Sequence, residues 1–188
     1  MPILGPDVPL GFRPARVLIG GTSGSGKSTL AQELSILTGL DYVELDALNH
    51  GPNWTVRPEF LSDVVAVSLS QQWVTDYQYA DARPILLARA DLVVYLLLPR
   101  RLVMWRIILR TIQRSLRRQV LWNGNTEPPL HTFFTDRDHI IRWAWRTHSK
   151  GPGRVEKIAA GHPDLPVVVL RSTREVQIWL EQVRQLLA

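Results

Sequence analysis

Two features of the sequence predict an α/β fold built on a parallel β-sheet. Five short apolar segments recur along the chain, and helical or irregular segments separate them. These segments do not alternate polar with apolar residues, which is typical of parallel strands that are covered on both faces. The candidate strands comprise residues 17–20, 42–45, 73–76, 92–98 and 167–170.

A glycine-rich segment and a helix follow the first strand. Residues 21–28 read Gly-Thr-Ser-Gly-Ser-Gly-Lys-Ser, which matches the spacing G-x-x-x-x-G-K-[ST] of a phosphate-binding loop. A helix is predicted over 29–38, with Gly39 as its stop. Glycines let the backbone turn its N–H groups towards a phosphate, and the helix N-terminus adds positive potential. The strand–loop–helix context favours a nucleotide site over a simple Gly/Ser-rich turn.

The same segment predicts contacts to ATP and Mg²⁺. Lys27 is expected to bridge the β- and γ-phosphates, and the Ser28 hydroxyl is expected to bind Mg²⁺. The residues expected to contact the nucleotide here are Gly21, Thr22, Ser23, Gly24, Ser25, Gly26, Lys27, Ser28 and Thr29.

Two aspartates lie where the second and third strands are predicted to end. Ligands of parallel sheets collect at the carboxyl edge of the strands. Asp46 is therefore expected to bind an acceptor hydroxyl, to act as its base or to hold a Mg²⁺-bound water, with a helix cap or a solvent-exposed loop residue as the structural alternative. Asp76 lies where the carboxylate that orders Mg²⁺ is expected.

A long helix with two different faces is predicted over 101–122. Its apolar stripe consists of Trp105, Ile108, Leu109, Ile112, Leu116 and Val120, and its basic stripe of Arg106, Arg110, Arg114, Arg117 and Arg118. Like charges at i, i+4 repel, so something acidic is expected to face the arginines. The protein's own carboxylates, nucleotide phosphates, a nucleic-acid backbone and a solvated face remain the alternatives. The turn-rich segment 123–132 is predicted to be a mobile lid beside them.

Three further local signals lie in the C-terminal part. Thr135 or Asp136 is predicted to cap a helix, and the Gly-Pro-Gly at 151–153 to break the chain. Residues 172–175, Ser-Thr-Arg-Glu, match a capping box at the start of a closing helix.

Length and composition indicate one domain of ordinary apolar content. The chain has 188 residues, 45% of them hydrophobic, and no apolar run approaches the roughly 20 residues of a membrane span. It has no cysteine, which excludes disulfides and suits a cytoplasmic protein. Residues 1–15 are rich in proline without a basic start, so a loose leader is expected rather than a signal peptide.

The charge of the chain is moderately basic and depends on arginine. The net charge is +5, and only three of the 22 basic residues are lysines. Arginine suits bidentate contacts to phosphate oxygens, although a GC-rich genome would produce the same bias.

Several pieces of the chain occur together in one known group of proteins. They are residues 21–30 (GTSGSGKSTL), 45–48 with Trp54 downstream, 73–76, 90–92, 99–100, 121–125 (LWNGN), His148 and 171–180. In this order they resemble the small P-loop kinases related to adenylate kinase, and among these the DNA topology modulation proteins (FlaR-like). The resemblance covers about residues 16–182, and its most specific part is Leu-Trp-x-Gly-Asn. The family usually has Gly-Asn-Tyr after its third-strand aspartate, whereas this chain has Tyr77, Gln78 and Tyr79.

The resemblance implies a three-layer P-loop NTPase fold. Its sheet would have five parallel strands in the order 2-3-1-4-5, with a helical lid. One kinase domain would cover 16–188, with an acceptor-binding region over about 46–70 and a lid region over about 101–135. The roles that it carries over are phosphate and Mg²⁺ binding for Lys27 and Ser28, the acceptor side for Asp46, the lid for Arg106, Arg110 and Arg114, and the nucleotide base for Arg171.

The sequence as a whole predicts an ATP-dependent phosphotransferase. With Mg²⁺ it would move the γ-phosphate of ATP to a small acceptor, which is a nucleotide, a nucleoside or a similar hydroxyl compound. The alternative is a nucleotide-dependent DNA-binding or regulatory protein, whose basic helix would contact the phosphate backbone. No membrane partner is expected, and the protein is expected to be a monomer or a homodimer.

Overall fold

The computed structural model describes residues 3–117, 119–126, 132–136 and 139–187, and only the backbone of residues 134 and 135. In this part of the chain the strands β1–β6 comprise Ile3–Leu4, Arg16–Gly21, Tyr42–Val43, Trp73–Asp76, Leu92–Leu96 and Val167–Leu170. The helices α1–α9 comprise Lys27–Thr38, Leu45–Asn49, Phe60–Leu69, Ala82–Leu87, Arg100–Leu116, Thr132–Thr135, Ile140–Thr147, Gly151–Gly161 and Thr173–Leu187. Single 3-10 turns lie at Pro52–Trp54, Trp122–Gly124 and His148–Lys150.

The strands form one parallel sheet in the order β1-β6-β5-β2-β4-β3. The five strands predicted from the sequence are all present, and they follow one another in the predicted order. The prediction of five strands is nevertheless wrong, because the sheet has six. The additional strand is Ile3–Leu4, in the segment predicted as a loose leader, and it pairs with Val167 and Val168 at the edge of the sheet.

Helices cover both faces of the sheet, which gives three layers. Successive residues of each strand point to opposite faces. In β2, Val17 and Ile19 join the core under α1 and α9, whereas Leu18 joins the core under α3, α4 and α8. Both faces are therefore apolar, and this explains why the strands show no alternation in the sequence.

The second predicted strand is shorter than the sequence indicates. It ends at Val43, which pairs with Thr75, and α2 begins at Leu45. Leu45 is fully buried in the core beneath α3, so the chain turns into a helix instead of extending the ladder. Asp46 consequently lies in the first turn of α2 and not at the end of a strand.

The long helix α5 ends at Leu116, earlier than predicted. Its buried residues are Val103, Met104, Ile107 and Thr111. Most of the predicted apolar stripe is turned outward instead, with Trp105 62% exposed and Leu116 75% exposed. The helix therefore faces its neighbours with a different side from the one that apolar content alone indicates. Arg118 of the basic stripe and residues 127–131 of the predicted lid lie outside the described residues.

Two of the predicted helix boundaries are confirmed, and the predicted break at the Gly-Pro-Gly segment is wrong. Helix α1 ends at Gly39, whose φ of 80° suits glycine, and the Ser172 hydroxyl accepts the Glu175 N–H at 3.1 Å as a capping residue should. The Gly-Pro-Gly segment begins α8 rather than breaking the chain, because proline is tolerated in a first helical turn.

The N-terminal cap of α7 also differs from its prediction. His139 Nδ1 accepts the Ile141 N–H at 3.3 Å, in place of the predicted Thr135 or Asp136; the side chain of Thr135 lies outside the described part. No helix that the structure describes is both long enough and apolar enough to cross a membrane.

Candidate functional site

The phosphate loop joins β2 to α1 at the centre of the sheet. Gly21, Gly24 and Gly26 have φ angles of 148°, 84° and 95°, in the region that favours glycine. The Ser25 N–H donates to the Thr22 carbonyl at 3.0 Å, which closes a tight turn just before the helix. This conformation is the one that directs successive N–H groups inward towards an anion.

Helix α5 packs directly on this loop. A Cβ at Gly24 would lie 2.8 Å from the Val103 carbonyl oxygen and 2.9 Å from Ile107 Cβ, so a larger residue would force the helix away. The close approach brings Arg106 to the loop, where its Nη1 donates to the Ser25 carbonyl at 3.4 Å. One of the predicted lid arginines is therefore beside the phosphate loop.

Charged groups from four elements converge around Lys27. Its side chain is buried, and burial lowers its pKa. Asp76 and then Asp46 act in the opposite direction, whereas Arg110 and Arg154 lower the pKa further. Residues of β4, α2, α5 and α8 thus place two carboxylates and two guanidinium groups close enough to the Lys27 ammonium to affect it.

The carboxylate of Asp76 is the most perturbed acid of the site. Asp76 is 1% exposed, and burial raises its pKa from 3.8 to about 6, although Lys27 favours the ionised form. Its Oδ1 is buried and has no hydrogen-bond partner among the described residues. An ionised carboxylate with an unsatisfied oxygen is stabilised by a bound cation.

Ser28 and Asp76 fit the predicted Mg²⁺ site. The side chain of Ser28 and the charge of Asp76 both act on the Tyr42 hydroxyl, so both residues lie close to it. No group of three or more His, Cys, Asp or Glu in the described ranges could hold a metal by itself. Mg²⁺ commonly takes one or two protein oxygens and completes its shell with phosphate and water oxygens, so this sparse donor set suits it.

The raised pKa of Asp76 predicts how stability depends on pH without Mg²⁺. The folded carboxyl binds its proton more tightly than the unfolded one, so the free energy of unfolding falls as pH rises from about 4 to about 6. At pH 7 the loss amounts to at most about 3 kcal/mol. Asp76→Asn cannot titrate, so its stability relative to the wild type should rise over this range in urea unfolding. A difference that is constant with pH would contradict this.

Asp46 lies in the first turn of α2 and faces the turn that follows β4. The Tyr79 hydroxyl donates to Asp46 Oδ1 at 2.5 Å, and Gln78 Nε2 donates to the same oxygen at 3.3 Å. Burial and the charge of Asp46 raise the pKa of Tyr79, so the phenol stays protonated and remains a donor. Asp46 thus lies close enough to Lys27 to affect its pKa, and a helix holds it there instead of the predicted strand end.

Two loops of matching shape dock on each other beside α2. Residues 50–56 contain an antiparallel bridge between His50 and Val56, and residues 120–126 contain one between Val120 and Thr126. Each loop carries an asparagine in the left-handed region, Asn53 at φ 56° and ψ 35° in the first and Asn123 at φ 54° and ψ 36° in the second. We call this pair of docked loops the clasp.

Polar side chains hold the clasp together. Asn125 Oδ1 accepts the Trp54 N–H at 2.9 Å, and Asn125 Nδ2 donates to the Gly51 carbonyl at 2.8 Å. Trp122 Nε1 donates to Glu44 Oε2 at 2.7 Å. Trp122 and Asn125 belong to the Leu-Trp-x-Gly-Asn piece. That motif therefore joins the predicted lid region to the predicted acceptor region.

Loss of Asn125 should open the clasp. The side chain is 5% exposed, and Asn125→Ala would leave the Gly51 carbonyl and the Trp54 N–H without their partner. We expect a loss of about 2–4 kcal/mol in the free energy of unfolding, since each unsatisfied buried group costs about 1–3 kcal/mol. Urea unfolding measures it. The control is Asn53→Gly. Asn53 is an exposed residue of the same clasp with positive φ, so its replacement by glycine should change stability little. Equal stability of the two variants would contradict the role of Asn125.

The other predicted site residues are more peripheral. Arg114 is half-buried, two turns after Arg106 along α5. Arg171 is exposed, and its backbone N–H donates to Glu175 Oε2. Two residues later, Thr173 lines a groove beside the phosphate loop, together with Thr29. The roles of Arg114 in the lid and of Arg171 at the nucleotide base stay predictions.

Four residues near the site were missed by the sequence reasoning. They are His50, Tyr79, Trp122 and Arg154. Trp122 lay in a recognised motif without an assigned role, and Tyr79 aligned with the family's Gly-Asn-Tyr. Arg154 follows the Gly-Pro-Gly segment that the sequence predicts to break the chain, so no local pattern indicates a role for it.

The parallel sheet and the phosphate loop between β2 and α1 together define a P-loop α/β domain. The structure is similar to that of a gluconokinase from Sinorhizobium meliloti 1021, with a TM-score of 0.50 and 17% identity over 93% of this chain and 94% of that one. It is also similar to a shikimate kinase from Bacteroides thetaiotaomicron, with a TM-score of 0.50 and 13% identity over 93% of this chain and 98% of that one. No protein-family model and no curated protein matches the chain. At these identities the similarity establishes the fold, which is that of small P-loop kinases.

Proposed function

We propose that the protein is an ATP-dependent kinase that uses Mg²⁺ and transfers the γ-phosphate of ATP to a small acceptor. The acceptor is a nucleotide, a nucleoside or a similar hydroxyl compound. We assign the motifs to the FlaR-like group of the P-loop kinases related to adenylate kinase. We also propose a cytoplasmic location for the protein.

One observation carries the proposal. Lys27 of the phosphate loop interacts electrostatically with both Asp76 and Asp46, so a candidate Mg²⁺ ligand and a candidate acceptor ligand meet at the residue that binds the transferred phosphate. A phosphate loop that only binds a nucleotide needs no second carboxylate near the lysine. The convergence of these groups therefore favours transfer over binding alone.

The residues have distinct roles in the proposed transfer. A bond forms between the acceptor oxygen and the γ-phosphorus, the bond from that phosphorus to the bridging oxygen breaks, ADP leaves, and Asp46 takes the hydroxyl proton. Lys27, Arg106 and Arg110 stabilise the negative charge on the phosphoryl oxygens. Mg²⁺ bound at Ser28 and Asp76 would neutralise phosphate charge during this step.

The basic stripe of α5 supports this function over the nucleic-acid alternative. Arg106 donates to the Ser25 carbonyl, and the charge of Arg110 lowers the pKa of Lys27, so both arginines lie close to the phosphate loop. Their charge is then available to nucleotide phosphates. Binding to DNA would instead need a basic surface open to an extended backbone, with affinity that falls steeply as salt rises.

The experiment that tests the function measures ADP release and thermal unfolding. ATP with Mg²⁺ is offered with acceptors singly: AMP, nucleosides, and the gluconate and shikimate suggested by the names of the similar kinases. A ligand at 100 times its dissociation constant should stabilise the fold by about 2.7 kcal/mol. ADP release that needs one acceptor supports the proposal. Stabilisation by ATP alone, without turnover for any acceptor, favours a binding or regulatory protein, and no response to ATP would overturn both.

A further inference from the structure

We infer that Asn49, His50 and Tyr79 form a hydrogen-bonded chain that positions Asp46 for the acceptor hydroxyl. This inference rests on the proposed kinase function, in which Asp46 takes the acceptor proton. Asn49 is the last residue of α2 and His50 follows it, whereas Tyr79 comes from the turn after β4. This hydrogen-bonded chain therefore connects the end of α2 with the turn after β4.

The carboxylate end determines the direction of the hydrogen bonds. Tyr79 Oη gives its single proton to Asp46 Oδ1. His50 Nε2 lies 3.2 Å from the same phenol oxygen, so the imidazole has to donate there. His50 Nδ1 then acts as the acceptor, and Asn49 Nδ2 lies 3.4 Å from it. The arrangement requires the neutral Nε2–H tautomer of His50.

Aromatic packing keeps the two rings of the chain in place. The His50 ring is edge-on to Trp54, with centroids 5.1 Å apart, and stacked on Trp122, with centroids 6.2 Å apart. Phe60 lies edge-on to Tyr79 at 5.0 Å. Both neighbours of His50 belong to the clasp, so docking of the two loops also sets the position of the imidazole.

The consequence for Asp46 is that its two oxygens become unequal. The donors from Tyr79 and Gln78 both use Oδ1, which leaves Oδ2 as the oxygen for the acceptor hydroxyl. Tyr79 has φ 52°, which bulky residues rarely adopt. Such strain is kept where it places a side chain for a purpose, and here it directs the phenol to Asp46. Asn49, His50 and Tyr79 are therefore positioning residues.

The first test of the chain does not depend on activity. Long-range ¹H–¹⁵N NMR spectra distinguish the two neutral tautomers of histidine, and the signal of His50 among the five histidines is assigned from its loss in His50→Gln. The folded wild type at neutral pH should show His50 as Nε2–H. An Nδ1–H tautomer, or an average of the two, would overturn the inference.

The second test is kinetic. Tyr79→Phe keeps the ring and removes the donor, and we expect kcat to fall about 10- to 100-fold, with an unchanged KM for ATP, because the base loses its alignment. Tyr77→Phe is the matched control, since that ring packs against Tyr95 instead, and should retain wild-type kcat. His50→Gln, which keeps a donor near the Nε2 position, should retain more activity than His50→Leu.

The outcomes separate this inference from the proposed function. Unchanged kcat in folded Tyr79→Phe, beside an active wild type, overturns the positioning role alone. A wild type without phosphoryl transfer to any acceptor overturns the kinase function and the positioning role together, whichever tautomer the spectra show. A loss in Tyr79→Phe that equals the loss in Tyr77→Phe also overturns the inference, because it would reflect general disturbance of the turn after β4.

Discussion

Lys27→Met should reduce kcat/KM for phosphoryl transfer by about 10³-fold or more, the largest effect expected of any single substitution here. Lys27 belongs to the phosphate loop, and its ammonium interacts electrostatically with both Asp46 and Asp76. Its ammonium, held out of water, stabilises developing phosphoryl charge more strongly than an exposed cation would. Methionine has similar length and no charge, so the substitution removes the charge with little change in packing.

The control for this substitution is Lys157→Met. Lys157 is exposed on α8 and should tolerate the change with unaltered turnover. Steady-state ADP release measures both variants, and circular dichroism checks that each is folded. Turnover by Lys27→Met above one-tenth of the wild-type rate would show that the lysine is not the phosphate ligand of the reaction.

Asp46→Asn should lower kcat by about 10²- to 10⁴-fold and leave the KM for ATP unchanged, since a general base contributes in that range. Asparagine keeps the shape and can still accept the Tyr79 hydroxyl through Oδ1, so the local structure should persist. A change confined to the acceptor KM would instead indicate that Asp46 only binds the hydroxyl. A change confined to the Mg²⁺ requirement would indicate that it holds a metal-bound water.

Asp63→Asn is the matched control for Asp46→Asn. Asp63 lies in the same region on α3 and pairs with Arg57 at 3.1 Å in a partly exposed ion pair. Such pairs contribute about 1 kcal/mol or less, so stability and turnover should change little. An equal loss of kcat in both variants would mean that any carboxylate of this region matters, and it would contradict a specific role for Asp46.

The phosphate loop could be predicted from the sequence because its chemistry is local. The glycines at 21, 24 and 26, the lysine and the start of α1 follow one another directly, so spacing alone identifies them. The strand order also agreed with the order that the family resemblance implied. The sixth strand was missed since Ile3–Leu4 is too short to stand out, and only its pairing with β6 makes it a strand.

The acceptor side was less predictable because it depends on distant contacts. Trp54 and Asn125 are 71 residues apart, and although both belong to motifs of the resemblance, nothing local indicates that they meet in the clasp. Tyr79 and His50 are 29 residues apart and have no motif that joins them. The face of α5 was misjudged for the same reason, since its orientation follows from the contact with Gly24 and not from its own apolar content.

By itself the sequence determined the parallel α/β architecture, the phosphate loop and the presence of carboxylates after the second and third predicted strands. These features depend on residue type at short spacing. The tertiary structure decided which oxygen of Asp46 receives the hydrogen bonds of Tyr79 and Gln78, and which arginines lie close to Lys27. It also decided how the aromatic residues of the clasp pack against His50. Those features depend on hydrogen bonds and close packing between segments far apart in the chain. Their geometry exists only when the sheet brings the segments together.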